Sequence, residues 1–307
     1  MTPDVVCLGI LVADVIARPF DELPASGSLG LVETVSLHGG GCALNTASAL
    51  TRLGCTAAVT GKIGADALGD FLLQLLDDRG IDRRGVIRDS SAPTSATVVL
   101  VGGDGERTFL HAKGANARLE ASELDPELLF SGRCLHVAGA LVLDALDGEP
   151  CAALLAEARA RGLVTTLDTV WDASGRWERI LPSLPYVDVF APSLPEAQAI
   201  SGTSGVEAAV RWLEDHGAAK VVVKLGADGC YVGGGIGHVE PVQVDAIDAT
   251  GAGDAFVAGL LYGVLAGWPL EDAARLANAA GALATTAVGA GDGVRGLDET
   301  VALAGLE

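Results

Sequence analysis

The sequence predicts an α/β protein built on a mainly parallel sheet with helices on both faces and a small antiparallel β piece at its flank. Three observations carry this expectation. Short β-branched runs alternate with helical patterns along most of the chain. Two stretches, residues 12 to 37 and 94 to 116, break that rhythm and read as strands and hairpins. Two glycine-rich strings stand directly ahead of helical patterns, the place where parallel sheets hold ligands at the carboxyl ends of their strands.

In chain order, VVCLGI (5 to 10) is the first strand, and residues 12 to 37 follow as the first irregular β stretch. HGGGCALNTASALTRLG (38 to 54) sets three glycines before a short apolar-patterned helix that ends at Gly54. AAVTGKI (57 to 63) is a strand, and Asp66 to Arg79 is a helix closed by Gly80. TSATVVLVGGDGERTFLHAKGAN (94 to 116) turns back on itself at Gly102 to Gly105. CLHVAG (134 to 139), a helix from Glu149 to Arg161 closed by Gly162, then LVTTLD (163 to 168), VDVFAP (187 to 192) and KVVVKL (220 to 225) continue the alternation. IDATGAGDAFVAGLL (247 to 261) gives a Gly-Ala-Gly turn and a helix running to Gly267, and ARLANAAGALATTA is a further helical run.

The turn carries chemistry. Gly251 and Gly253 lack a Cβ, so the backbone can approach a ligand closely and aim successive N–H groups at it. The helix that follows has unpaired N–H groups at its start, an end that attracts phosphate. Asp254 in that first turn would be kept ionised by the same positive potential and suited to accept a proton from a hydroxyl. The bland alternative is a tight turn with Asp254 as a helix cap. In the other glycine string, Asn45 falls in the first turn of its helix and can both donate and accept, as recognition of a sugar hydroxyl requires.

Both strings resemble the two signatures of the PfkB family of carbohydrate kinases. The first fits at Gly40, Gly41, Asn45, Ala47, Gly54 and Gly64; the second fits from Asp248 through Asp254 to Leu261, with Ala249 where the family has a small polar residue. Two long patterns in the expected order are far more specific than one glycine loop. The resemblance runs along nearly the whole chain. It implies a three-layer ribokinase-like fold over residues 1–307 as one kinase domain, with residues 12–37 and 94–116 forming a small β-sheet lid and a homodimer interface.

The resemblance also implies roles, position by position. Asp14, Gly40, Gly41 and Asn45 would hold the sugar, with Asn116 a weaker candidate; Asp254 would be the general base, assisted by the N–H groups of Gly251, Ala252 and Gly253. Lys224, Gly226 and Gly229 in KLGADG resemble the nucleotide-side turn, although a plain Gly hairpin reads the same, and Asn278 matches a position beside the adenine or is simply a packing Asn. The family's Asn-x-x-Glu magnesium motif appears as Ser193-Leu194-Pro195-Glu196, with Ser193 in place of the Asn and Glu196 acting on Mg²⁺ through water. A monovalent cation, commonly K⁺ in relatives, would lie by Asp248, the Thr250 carbonyl and backbone oxygens of residues 287 to 291. ATP is the implied phosphoryl donor to a primary hydroxyl of a small carbohydrate.

Which sugar is open. Gly139 and Ala140 stand where ribokinases place a Glu, and Asp168-Thr169-Val170-Trp171-Asp172 stands in place of the DPNxR-like string of ketodeoxygluconate kinases. Asp172 and Trp171 are pocket candidates, Trp171 reading better as core. Arg107 in GERTF reads as a solvated lid residue or as a cation for an anionic substituent. An adenosine-like nucleoside kinase needs aromatic stacking, for which Phe20 and Phe109 are the candidates in a chain with 4% aromatic residues. A non-catalytic sugar sensor on the same fold is the alternative from another class, and it has no need of Asp254.

Composition sets outer limits. A chain of 307 residues suffices for one large core and a small appendage. A net charge of −20 argues against a nucleic-acid partner, and no apolar run reaches the length of a membrane span. Residues 4 to 12 are short and lack a basic flank, so a signal peptide is not expected and the cytoplasm is. The six scattered cysteines have no CxxC pair and read as free thiols, and the five histidines show no metal-ligand spacing. No GxxxxGK[ST] string occurs, which argues against a P-loop kinase.

Overall fold

A computed structural model describes residues 2–20, 22–103, 106–287, 289 and 291–306. The strands are β1 (Val5–Gly9), β2 (Val12–Arg18), β3 (Thr34–Gly40), β4 (Ala57–Gly64), β5 (Asp82–Asp89), β6 (Ala96–Val101), β7 (Arg107–Ala112), β8 (Cys134–Ala140), β9 (Val164–Thr169), β10 (Val189–Phe190), β11 (Val222–Lys224), β12 (Cys230–Val232) and β13 (Gly237–Val239). The α-helices are α1 (Cys42–Arg52), α2 (Ala67–Asp78), α3 (Pro126–Leu129), α4 (Glu149–Ala160), α5 (Leu194–Ser201), α6 (Val206–Asp215), α7 (Ala252–Leu265), α8 (Leu270–Ala284) and α9 (Leu297–Leu303).

Every residue of β1 is buried, and this places it centrally in a parallel sheet of order β10–β9–β8–β1–β4–β5. Its side chains alternate between two cores. Val5 and Cys7 pack with Leu44, Leu50 and Phe256 of α1 and α7. Val6 and Leu8 pack with Leu155, Val210 and Leu213 of α4 and α6. A sheet buried on both faces between two helical layers is the three-layer arrangement expected, in the ribokinase-like fold.

Two of the expected strands come out differently. The run 187 to 192 gives only Val189–Phe190 in β10, since Asp188 spends its carboxylate on the Thr165 N–H and Pro192 has no N–H to donate. The run 220 to 225 touches β10 through the parallel bridge Phe190↔Val221 and the start of α5 through Ser193↔Lys224, but its ladder is antiparallel, in the sheet β11–β12–β13. KLGADG is therefore also a hairpin turn. β5 was not legible: DRRGVIRD carries charges and Gly85 because it is an edge strand that stays half solvated.

The two irregular stretches meet in a separate four-stranded sheet of order β3–β2–β6–β7. Of its expected Gly102 to Gly105 turn, Asp104 and Gly105 lie outside the described residues, while the Gly102 N–H donates to the Glu106 carbonyl at 2.7 Å. Residues Asp14, Ile16 and Arg18 of β2 share one face with Thr97, Val99 and Val101 of β6, and this face lines a cavity against the main body.

α7 and α8 form the most extensive helix pair and can approach closely because Gly259 and Gly263 face Ala277 and Ala273. A Cβ at Gly263 would lie 2.6 Å from the Ala273 Cβ. All six cysteines are free, as expected. No helix among the described residues is long and apolar enough to cross a membrane.

Candidate active site

Asp254 sits in the first turn of α7, and the backbone leading to it decides what it faces. Gly251 takes φ 73°, the left-handed region that glycine enters without strain, and the helix starts at the next residue. The stretch from Asp248 to Asp254 thereby becomes a partition between two cavities. Asp248, Thr250, Gly251 and Asp254 line one of about 470 Å³. Ala249, Ala252 and Gly253 line the other, of about 310 Å³. The Ala252 N–H is spent on the Ala249 carbonyl at 3.2 Å, whereas the amides of Gly251 and Gly253 have no hydrogen-bond partner among the described residues, which leaves them open to an anion.

The larger cavity brings together most of the residues expected to hold a sugar. Gly41 starts α1 with φ 91°, and a Cβ there would lie 2.4 Å from the Ile10 carbonyl oxygen, so only glycine lets α1 abut the end of β1. That contact delivers Asn45, whose Nδ2 donates to Asp254 Oδ2 over 2.8 Å. Asn45 Oδ1 is buried with no hydrogen-bond partner among the described residues. Leaving such an acceptor unpaired costs about 1–3 kcal/mol, so it marks a place where a ligand hydroxyl would bond. Asp14 lines the same cavity, and burial pushes its carboxyl above its ordinary value, with Thr97 and His38 opposing. A Cβ on Gly40 would lie 2.1 Å from Asp14 Oδ2, so the glycine leaves room for that carboxylate.

Asp254 is 8% exposed. Burial pushes its pKa up, while the Asn45 amide and the Lys224 ammonium pull it back. The net direction is upward, so desolvation outweighs these two partners. A raised pKa suits a base that must bind a proton during turnover.

A second acidic residue was missed in the sequence. Asp168, near the end of β9, is buried and accepts a 2.7 Å hydrogen bond from Lys224 Nζ. Burial pushes it up to about 7, against the pull of Lys224 and with Glu196 and Asp254 adding to the rise. Burial would discharge Lys224, but Asp168 and Glu196 more than offset this and its pKa is raised. The available signal was position: an acidic residue at the carboxyl end of an apolar strand in a parallel sheet.

Glu196 Oε2 accepts from the Ser193 N–H at 2.8 Å and from the Thr169 hydroxyl at 3.0 Å. Ser193 caps α5 in a reciprocal box with Glu196, so the Ser that departs from the family motif still starts the helix. Among the described residues no three His, Cys, Asp or Glu converge into a metal cage. Mg²⁺ does not need such a cage, since it keeps waters and phosphate oxygens among its ligands.

Arg107, on β7, is not a solvated strand residue. Its guanidinium reaches across the cavity, pairs with Asp248 Oδ1 at 2.5 Å and donates to the Thr250 hydroxyl. Asp248 also accepts from the Thr250 N–H at 2.7 Å and the Gly289 N–H at 3.3 Å. Burial pushes its pKa up, but these bonds win and hold it below its ordinary value. Of the backbone oxygens expected to complete a cation site in residues 287 to 291, those of Val288 and Ala290 lie outside the described residues.

Other candidates are placed elsewhere or spent. Asn116 does not line the cavity; its amide donates to the Leu11 carbonyl at 2.9 Å and accepts from the Leu11 N–H at 3.2 Å, fixing the bend between β1 and β2. Asn278 does line the smaller cavity, with Lys224, Gly226 and Gly229, but its Nδ2 is spent on the carbonyls of Val239 and Glu240. Trp171 is 55% exposed, edge-on to Trp177, and so is not core. The Asp172 carboxylate is turned onto the N–H groups of Ser174 and Arg176. Phe109 lines the larger cavity and Phe20 does not.

Comparison with known proteins places the chain in a family. Fructokinase-1 of Zea mays is 32% identical over 294 residues, 88% of this chain and 90% of that protein. The 2-dehydro-3-deoxygluconokinase of Bacillus subtilis is 30% identical over 283 residues, 87% of each chain. The crystal structure of fructokinase with bound ATP from Xylella fastidiosa superposes with a TM-score of 0.81 at 25% identity, covering 99% of this chain and 98% of that one. Residues 2–295 match the model of the pfkB family of carbohydrate kinases. With the two signature loops meeting at one partition and the family match spanning almost the whole sequence, this chain belongs to the pfkB family and is a carbohydrate kinase, a phosphotransferase.

Proposed function

We propose that this kinase transfers the γ-phosphoryl group of ATP to a primary hydroxyl of a small sugar, with Asp254 as general base. The observation that carries the reading is the Asn45–Asp254 contact: the buried carboxylate faces the larger cavity beside an acceptor left free for a sugar hydroxyl. The hydroxyl gives its proton to Asp254 as its oxygen attacks phosphorus, and the open amides of Gly251 and Gly253 take up charge on the phosphoryl oxygens. ATP would lie in the smaller cavity along Gly226, Gly229 and Asn278; the fructokinase of Xylella fastidiosa, which shares the fold, is a structure with bound ATP. Mg²⁺, held through water by Glu196, would neutralise phosphate charge. The sheet of β2, β3, β6 and β7 would act as a lid that keeps water from the phosphoryl group.

The outer face of that sheet supports a homodimer. Val35 and Leu37 of β3, Val98 of β6 and Leu110 of β7 are exposed large apolar side chains, and registers Val15↔Leu37 and Val98↔Leu110 place them on the face away from the cavity. A monovalent cation at Asp248 and Thr250 would have to share or displace the Arg107 guanidinium. Rates in K⁺ against rates in tetramethylammonium test that site.

A nucleoside acceptor is favoured by one observation, the apolar wall of Ile16, Val99, Val101 and Phe109 in the larger cavity. Coupled ADP release over a panel of pentoses, hexoses, ketoses, sugar acids, polyols and nucleosides decides the acceptor. Turnover with a small sugar is expected. Turnover with nucleosides alone would replace the sugar reading, and nucleotide binding without any turnover would point to a sensor.

A further inference from the structure

Lys224 ends β11 and lines the smaller cavity, yet its side chain turns inward beneath the glycine turn. A Cβ built on Gly253 would lie 3.6 Å from Lys224 Nζ, so the ammonium stands next to the open amide of that residue. Its backbone is fixed there by the parallel bridge Ser193↔Lys224, which ties β11 to the start of α5. The ammonium donates to Asp168 Oδ1 at 2.7 Å, the two side chains being 14% and 3% exposed. Asp254 and Glu196 are close enough for their charges to act on it as well. One ammonium therefore stands among three buried carboxylates at the border between the two cavities.

A structural ion pair is a weak account of this arrangement, because a buried pair seldom stabilises a fold more than apolar side chains of the same volume. The location offers a better one. An anion arriving on the Gly251 and Gly253 amides meets Lys224 on its nucleotide side and Asp254 on its acceptor side. The phosphoryl group in flight spreads negative charge over three oxygens, and a fixed cation in a desolvated site acts strongly on such charge.

We propose that Lys224 is a catalytic residue, its ammonium bonding the non-bridging oxygens of the γ-phosphoryl group during transfer, and that Asp168 positions that ammonium. This rests on the reading of the chain as an ATP-dependent sugar kinase. In the step, the sugar oxygen forms a bond to the γ-phosphorus. The bond from that phosphorus to the β,γ-bridging oxygen breaks, its electron pair leaving with ADP, and the hydroxyl proton passes to Asp254. Lys224 keeps its protons throughout.

The test compares Lys224→Met, Lys224→Arg, Asp168→Asn and the double variant Lys224→Met/Asp168→Asn, which removes both members of the ion pair together and so guards against a folding artefact from an orphaned Asp168 carboxylate. Lys224→Met is expected to lower kcat by roughly 10²–10³-fold, as loss of one transition-state donor does. Its affinity for ADP should stay within about 3-fold, while affinity for ADP with aluminium fluoride, a mimic of the phosphoryl group in flight, falls by far more. Lys224→Arg restores part of both. Asp168→Asn lowers kcat alone by about 10-fold but by less than about 2-fold once Lys224 is Met, since a residue acting through another loses its effect with its partner. The proposal is overturned by kcat of Lys224→Met close to that of the parent, by ADP affinity falling as far as that of the mimic, or by additive losses in the double variant. If the parent protein turns over no acceptor, the sugar-kinase reading falls, and the ADP–aluminium fluoride comparison still decides whether Lys224 serves the phosphoryl position.

Discussion

Asn45 Nδ2 lies 2.8 Å from Asp254 Oδ2, one hydrogen bond joining two residues 209 positions apart. It joins the Asn45 amide and the Asp254 carboxylate, the groups proposed to hold the sugar and to act as base, because each sits in the first turn of a buried helix. Neither helix start carries a side-chain cap of its own; the Ala43 N–H donates to the Ile10 carbonyl and the Ala252 N–H to the Ala249 carbonyl, and the amides of Gly251 and Gly253 have no partner among the described residues.

Replacing Asp254 with Asn keeps the shape and removes the carboxylate proposed as base. kcat should fall by about 10²–10⁴-fold, the usual contribution of a positioned general base, with ADP affinity nearly unchanged. Asn45→Ala should raise the sugar KM and also lower kcat, since it removes both the free acceptor and a donor to Asp254. Steady-state kinetics with calorimetric ADP binding checks both. Substantial turnover by Asp254→Asn would remove this residue from the base role.

Two adjacent glycines should fail in different ways when changed to Ala. At Gly40 the new Cβ meets the far end of a movable side chain, Asp14 Oδ2, at 2.1 Å. The carboxylate must swing aside, so the sugar KM should rise by about 10-fold or more while the melting temperature changes little. At Gly41 the Cβ meets the Ile10 backbone at 2.4 Å and φ is 91°, so a stability loss of about 2 kcal/mol or more is expected. Denaturant melts and sugar titrations of the two variants separate the effects.

Arg107→Met removes the ion pair that ties β7 to the Asp248–Thr250 stretch. The pair is partly exposed, with 27% of the Arg107 side chain open to solvent, which limits its worth to about 1 kcal/mol. A looser lid should raise KM by about 10-fold and raise ADP release without acceptor relative to release with it. An unchanged ratio would mean that the lid does not depend on this clasp.

Asp147 gives a pH prediction away from the site. Burial pushes its carboxyl up to about 6 from an ordinary 3.8, although the Leu141 N–H and Arg179 oppose this. The folded state therefore binds this proton more tightly than the unfolded chain, and stability from this group falls as pH rises from about 4 to about 6, the penalty being complete above that range. Asp147→Asn should flatten that part of the stability profile by up to about 3 kcal/mol, read from urea unfolding at pH 4 and pH 7. An unaltered pH profile would show that Asp147 ionises freely in the folded protein.

The sequence by itself determined what local chemistry specifies. The short runs of β1, β4, β8 and β9, which lack a strict apolar–polar alternation, declare a parallel sheet covered on both faces. Gly41, Gly251 and Gly253 declare the two loops, since the left-handed backbone at Gly41 and Gly251 and open amides for an anion require residues without a Cβ.

Only the tertiary structure decided the pairings that lie far apart in the chain. Asp168 and Lys224 are unremarkable charges in sequence, 56 positions apart, and become a buried pair because β9 and β11 end at the same edge of the fold. Arg107 reads as a lid cation until the fold sets it against Asp248, and Asn116 reads as a ligand until the fold spends its amide on Leu11. Burial and partnership are properties of the packed state, so the pKa of Asp254 and the free oxygen of Asn45 exist only once the two helices meet.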